Sequence, residues 1–121
     1  MPLSREAIVD QLKEIVGSER VITDETVLKK NSIDRFRKYA DIHGVYTLPI
    51  PAAVVKLGST EQVSRVLEFM DQNKINGVPR TGASATEGGL ETVVKDSVVL
   101  DGAGMNQILS IDIENMQATA Q

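Results

Sequence analysis

The chain has no cysteine and no tryptophan, and only 3% of its residues are aromatic. Without cysteine, this stretch can form no disulfide, thiolate nucleophile or cysteine-bound cluster. Without large rings, a core has to be assembled from Val, Ile, Leu, Met and Ala. Excess positive charge is missing as well: 13 basic residues face 17 acidic ones, for a net charge of −4. No basic stripe is present to neutralise phosphates, which argues against a nucleic-acid partner. No apolar run approaches the roughly 20 residues that cross a bilayer. The N-terminus carries Arg5, Glu6 and Asp10 where a signal peptide would have its apolar core. A soluble, intracellular protein, cytoplasmic by default, is the expectation. The one histidine, His43, has no cysteine or carboxylate cluster around it. No metal site is therefore expected, and no Ser/His/Asp set can be assembled from sequence.

What is present is an ordinary globular balance, 41% hydrophobic and 25% charged over 121 residues. That length suits one domain or part of a larger one. Ser4 is a plausible N-cap, and Ala7, Ile8, Leu12, Ile15 and Val16 follow at helical spacing with Gly17 as a stop. The pattern predicts an amphipathic helix over 5–16. Asp24 is placed to cap a second, short helix with Val27 and Leu28 facing inward. Residues 31–45 carry mixed charge and show no period, so Asp34 and Asp41 read as solvated carboxylates rather than acid–base groups. Pro49 and Pro51 punctuate the chain, and a boundary is placed there. The expected organisation is a helical lead over 1–45 and a second unit over 46–121.

From Pro51 the pattern changes. Ala52 to Leu57 reads as a short strand, and Ser59 with Gln62 has the spacing of a capping box. Val63, Val66, Leu67 and Met70 form one apolar stripe, which predicts a helix to Asn73. Asn76-Gly77 is read as a turn, Val78 as the start of a buried strand, and Ser97 to Asp101 as the next strand. Met105 to Leu109 is expected to form one helical turn, with Asp101 as its cap. Ile111 and Ile113 alternate with polar residues, and Glu114-Asn115 turns the chain into a last strand. Met70, Met105 and Met116 are expected as core fillers. This strand–helix–strand rhythm is that of an α/β fold. The closing residues 116–121 read as the start of a strand at which the chain stops, so truncation is expected.

From the start of the second strand of that rhythm toward the third runs VPRTGASATEGG, residues 78–89. Glycines let a ligand approach the main chain without meeting a Cβ. N–H groups in such a loop can converge on an anion. Arg80 adds permanent charge, and Ser84 and Thr86 add hydroxyl donors. The loop therefore suits a pyrophosphate, and it suits a plain surface connection equally well. Neither common phosphate motif is present. Gly82 and Gly88 have the wrong spacing for G-x-x-x-x-G-K-[ST], and no lysine follows Gly88. Ser84 stands where G-x-G-x-x-G needs its second glycine. Glu87 reads as solvent-facing. The composition of the loop leaves both readings open.

The order of the segments narrows them. Pro51-Ala52-Ala53-Val54-Val55, Ser59-Thr60-Glu61-Gln62-Val63, Val78-Pro79-Arg80-Thr81-Gly82-Ala83-Ser84, Gly88-Gly89, Val98-Val99-Leu100-Asp101, Met105 to Leu109 and Asp112-Ile113-Glu114-Asn115 follow one another. This order resembles the front part of the FAD-binding domain of the vanillyl-alcohol oxidase, or PCMH, type. Within that superfamily it is most similar to FAD-linked 2-hydroxy-acid oxidoreductases, the flavin-binding component of glycolate oxidase and D-lactate dehydrogenase. Ile15 to Val21, with Thr23-Asp24, resembles their N-terminal lead.

The resemblance implies an α/β (α+β) fold in which a helical lead precedes a βαβ-type first FAD-binding subdomain. It implies that Pro79, Arg80, Thr81, Gly82, Ala83 and Ser84 wrap the FAD pyrophosphate through main-chain N–H groups. Gly88 and Gly89 would allow close approach near the adenine-ribose side. Some relatives carry a histidine where Ser84 stands and link the flavin covalently; serine cannot, so non-covalent FAD is expected. The family often has Gly or Ser in place of Thr81 and Gly in place of Ala83, and a Cβ at a positive φ is costly. The parent activity implied is oxidation of a 2-hydroxy acid such as glycolate or D-lactate, with electrons passing to a partner flavoprotein or iron–sulfur protein. Catalytic residues are expected beyond Gln121, so none is named. Two rivals stand beside this reading: the same fold acting on another alcohol, and a cofactor-free α/β interaction domain.

Overall fold

In the computed structural model, residues 1–34 and 48–121 are described. His43, Asp41 and most of the charged run lie outside the described residues. The local signals at the N-terminus act as their chemistry dictates. Ser4 Oγ accepts the main-chain N–H of Ala7 at 3.2 Å and opens helix α1, Arg5–Val16. Gly17 ends it at φ 94, its N–H donating to the Lys13 carbonyl. Strand β1, Val21–Ile22, follows. Asp24 Oδ1 then accepts from Val27 N–H at 3.1 Å and opens helix α2, Glu25–Lys30.

Past Pro51 the chain builds β2, Ala53–Lys56, then helix α3, Thr60–Gln72. The capping pair forms: Ser59 Oγ accepts from Gln62 N–H at 3.2 Å, and Gln62 Oε1 accepts from Gly58 N–H at 2.9 Å. Strands β3, Gly77–Arg80, and β4, Val98–Asp101, complete a four-stranded sheet in the order β1-β2-β4-β3. β2, β4 and β3 are mutually parallel, and β1 pairs antiparallel at one edge. The β2 and β4 runs are apolar on both faces because both faces are covered. Ala53, Val55, Val98 and Leu100 pack against Ile8, Leu12 and Val16 of α1 and Val66 and Met70 of α3. Val54 and Val99 point the other way, onto Leu28 of α2. Each buried Val, Ile, Leu or Met among them contributes roughly 1.5–3 kcal/mol on burial.

The expected turn at Asn76-Gly77 sits earlier. Lys74 takes φ 54, Ile75 N–H returns to the Met70 carbonyl, and Gly77 is already in β3. Asn76 instead donates from its side chain to Ser97 Oγ at 2.9 Å. Leu67, expected in the core stripe, is 46% exposed at the rim of a cavity. The helical turn expected over Met105–Leu109 does not form. Ile108 and Leu109 belong to β5, Ile108–Asp112, which pairs antiparallel with β6, Gln117–Ala120. Cross-strand hydrogen bonds satisfy that backbone more completely than one isolated helical turn could. Met116 is 92% exposed at φ 54 in the connecting turn, not in the core. Among the described residues, no helix is long and apolar enough to cross a membrane.

Candidate functional site

Parallel strands align their carboxyl ends along one edge of a sheet, and ligands of open α/β sheets sit there. Here β2, β4 and β3 deliver Leu57, Gly102 and Thr81 to that edge. Leu57 N–H donates to the Asp101 carbonyl at 2.9 Å, and Gly102 N–H to the Arg80 carbonyl at 3.0 Å. A Cβ built on Gly102 would lie 2.8 Å from Thr81 Cγ2, so the two loops touch. Asp101 closes the exit of β4 by accepting from Ala103 N–H at 2.9 Å, beside a turn in which Met105 N–H reaches the Gly102 carbonyl. An apolar cavity of about 720 Å³ adjoins this edge, with Leu57, Thr81, Gly102 and Met105 in its lining below α3.

The loop leaving β3 is the segment picked out by sequence. Pro79 and Arg80 are its last strand residues, and Thr81, Gly82 and Ser84 are exposed. The main-chain N–H groups of Gly82, Ala83, Ser84 and Ala85 have no acceptor among the described residues. Ala83 takes φ 52, the left-handed region that the expected glycine would enter without strain. A Cβ on Gly82 would meet nothing closer than Ser84 Oγ at 4.0 Å. Among the described residues, nothing packs closely above Gly82. Gly88, at φ +96, is a position that a side chain would strain. Glu87 is exposed and accepts from Thr86 N–H at 2.9 Å. Gly89 is exposed next to it.

Arg80 behaves differently from its neighbours. It is half-buried, and its Nη1 donates to the Ile33 carbonyl at 3.2 Å. Burial lowers the guanidinium pKa from its ordinary value, while Asp101 and Asp34 pull it back up. It remains a cation at neutral pH. Asp34, read from sequence as solvated, is 2% exposed. Its carboxylate accepts the main-chain N–H of Gly88, 54 residues further on. The correction has a physical reason: charged neighbours say nothing about a contact so distant in the chain. Thr92 and Ser32, also buried and also missed, join the same region through Thr92 N–H and the Ser32 carbonyl at 3.0 Å. Neither carries a local signal that could have singled it out.

Residues 51–121 match the family described as FAD binding domain, which is more than half of the chain, and the chain belongs to that family. Its cofactor is FAD. Over all 121 residues the chain is 86% identical to the uncharacterized FAD-linked oxidoreductase YgcU of Escherichia coli strain K12, covering 25% of that protein. It is 32% identical over 104 residues to the mitochondrial D-2-hydroxyglutarate dehydrogenase of Arabidopsis thaliana, covering 86% of this chain and 17% of the relative. The chain thus spans about a quarter or less of the length of these relatives. Among solved structures, an alkyldihydroxyacetonephosphate synthase superposes with a TM-score of 0.83 at 22% identity, over 99% of this chain and 25% of that one. That likeness establishes the α/β fold.

The residues present fit the group. A pyrophosphate needs converging N–H donors and room for its oxygens. The 82–85 main chain would supply the donors, the bare Gly82 the room, and the exposed Thr81 and Ser84 their hydroxyls.

Proposed function

We propose that residues 46–121 are the front part of an FAD-binding domain in a flavin-dependent oxidoreductase, with 1–45 as its helical lead. Pro79, Arg80, Thr81, Gly82, Ala83 and Ser84 form the pyrophosphate cradle, and Gly88 and Gly89 flank the adenine-ribose side. The observation that carries this reading is the run of N–H groups over Gly82–Ala85 without acceptors among the described residues, set at the carboxyl edge of a parallel sheet.

Bound FAD supplies a two-electron acceptor, the part of the chemistry that side chains cannot provide. This chain's residues hold and orient it. The loop donates main-chain N–H groups to the anionic linkage. The β2–β4–β3 edge gives that loop a rigid base. Ser84 has no nucleophilic imidazole to offer, so the flavin is held non-covalently. No residue of the chain is assigned a catalytic role.

The substrate class we infer is a 2-hydroxy acid, glycolate, D-lactate or D-2-hydroxyglutarate. The resemblance to glycolate oxidase and the likeness to a D-2-hydroxyglutarate dehydrogenase support it. The test begins with the visible spectrum of the purified full protein before and after acid precipitation. A flavin spectrum released into the supernatant is expected; a colourless protein that takes up no added FAD would sink the proposal. Bleaching of the flavin by 2-hydroxy acids, and not by aromatic alcohols, is expected next. The reverse preference would keep the cofactor and discard the substrate.

A further inference from the structure

Residues 32–34 hold the candidate loop at both ends. The Ile33 carbonyl accepts Arg80 Nη1 at 3.2 Å, where the loop leaves β3. Asp34 accepts the N–H of Gly88, and the Ser32 carbonyl accepts the N–H of Thr92 at 3.0 Å, where the loop turns back. The buried Thr92 hydroxyl donates to the Pro49 carbonyl at 2.7 Å and lies 3.4 Å from the Ser32 carbonyl. Between the two anchor points lie Gly82, Ala83, Ser84 and Ala85.

Burying a carboxylate is costly unless hydrogen bonds and opposite charge compensate it. Asp34, at 2% exposure, has the Gly88 N–H as a donor and feels the Arg80 guanidinium. A loop that must be ordered by its ligand loses affinity to the entropy of ordering; one held beforehand does not.

Resting on the assignment of this loop to FAD, we propose that Asp34 is a positioning residue: by gripping Gly88 it sets the return of the loop before the cofactor arrives. It touches no part of the flavin and acts through the main chain. Arg80 belongs to the same clamp at the other end, with one donor committed to Ile33.

The test uses the full protein stripped of FAD and titrated with FAD by flavin fluorescence. Amide exchange at Gly88 in the FAD-free protein is followed in parallel. Asp34→Ala is expected to weaken FAD binding about tenfold or more and to speed Gly88 exchange, the scale of losing one hydrogen bond to a charged group. Asp34→Asn keeps an acceptor oxygen and is expected to stay within roughly threefold of native, with Gly88 still protected. Native affinity and native Gly88 exchange in Asp34→Ala overturn the proposal. Equal losses in the Ala and Asn variants overturn it too, because the acceptor would then be irrelevant. If Asp34→Ala does not fold, Thr92→Val removes two hydroxyl contacts of the clamp while preserving shape. It is expected to bind FAD more weakly with an intact thermal transition, and unchanged affinity overturns the clamp. A native protein that takes up no FAD counts instead against the loop assignment.

Discussion

The apolar residues of the four-stranded sheet and those of the β5–β6 hairpin meet opposite fates. In β2 and β4, Val54, Val55, Val98 and Val99 are at most 2% exposed. In the hairpin, Ile108, Leu109, Ile111 and Ile113 are 59–85% exposed, and every residue of both strands is open to solvent. A turn and cross-strand hydrogen bonds pair β5 with β6, a ribbon that is marginally stable without a covering layer. Burial needs a second layer, and among the described residues only the first sheet has helices, α1, α3 and α2, on its faces. Pairing thus forms the strands here, whereas burial is a property of the layers.

That contrast breaks most visibly at Leu12, which is fully buried under the sheet. Leu12→Ala is expected to destabilise the protein by about 2–5 kcal/mol in denaturant unfolding, because the cavity adds to the lost transfer energy. A loss near zero would mean that α1 is not part of the core. Ser59→Ala probes the same layer more gently. It removes the α3 cap and leaves the Gln62 N–H without its acceptor, for an expected loss of about 1 kcal/mol. Restoration by Ser59→Asp, with Ala remaining low, would tie the effect to capping.

On the hairpin the same kind of change should do far less. Ile111→Thr keeps the β-branch and removes exposed apolar surface, so stability should move by no more than about 0.5 kcal/mol either way. A loss on the Leu12 scale would show that the hairpin is packed in solution. The smallest expected effect is at the hairpin turn. There the Asn115 side chain and main chain donate to Asp112 at 2.8 and 3.0 Å and lower its pKa below the usual carboxylate value. The folded pKa is depressed, so any support from this contact is present above about pH 4 and fades as pH falls through the lower folded value. Asn115→Ala should move the Asp112 titration, followed by NMR, upward toward the ordinary range. An unmoved midpoint would remove the Asn115 side chain as the cause.

Much of this was legible in the order of residues. α1 spans the run between Ser4 and Gly17, α2 starts after Asp24, and the Ser59–Gln62 pair caps α3 as its spacing requires. The loop over 79–89 stood out by its smallness. The misreadings share one cause. Met105–Leu109 looks helical over one turn, but its hydrogen-bond partners lie in β6. Leu67 keeps the stripe's period yet sits where the layer ends. Met116 is apolar and lies at a turn with nothing over it.

By itself the sequence determined where α1, α2 and α3 begin, that β2, β3 and β4 extend as strands, and that one loop would expose its main chain. Caps, periods and glycines act across a few bonds, so their consequences are written beside them. The tertiary structure alone decided that β4 lies between β2 and β3, which places Gly102 next to Thr81. It alone turned Asp34 from a solvated charge into a buried acceptor for Gly88, and it alone gave one Arg80 donor to Ile33. Those contacts join residues 47 and 54 positions apart. No local periodicity reaches that far; packing of the whole sheet brings them together.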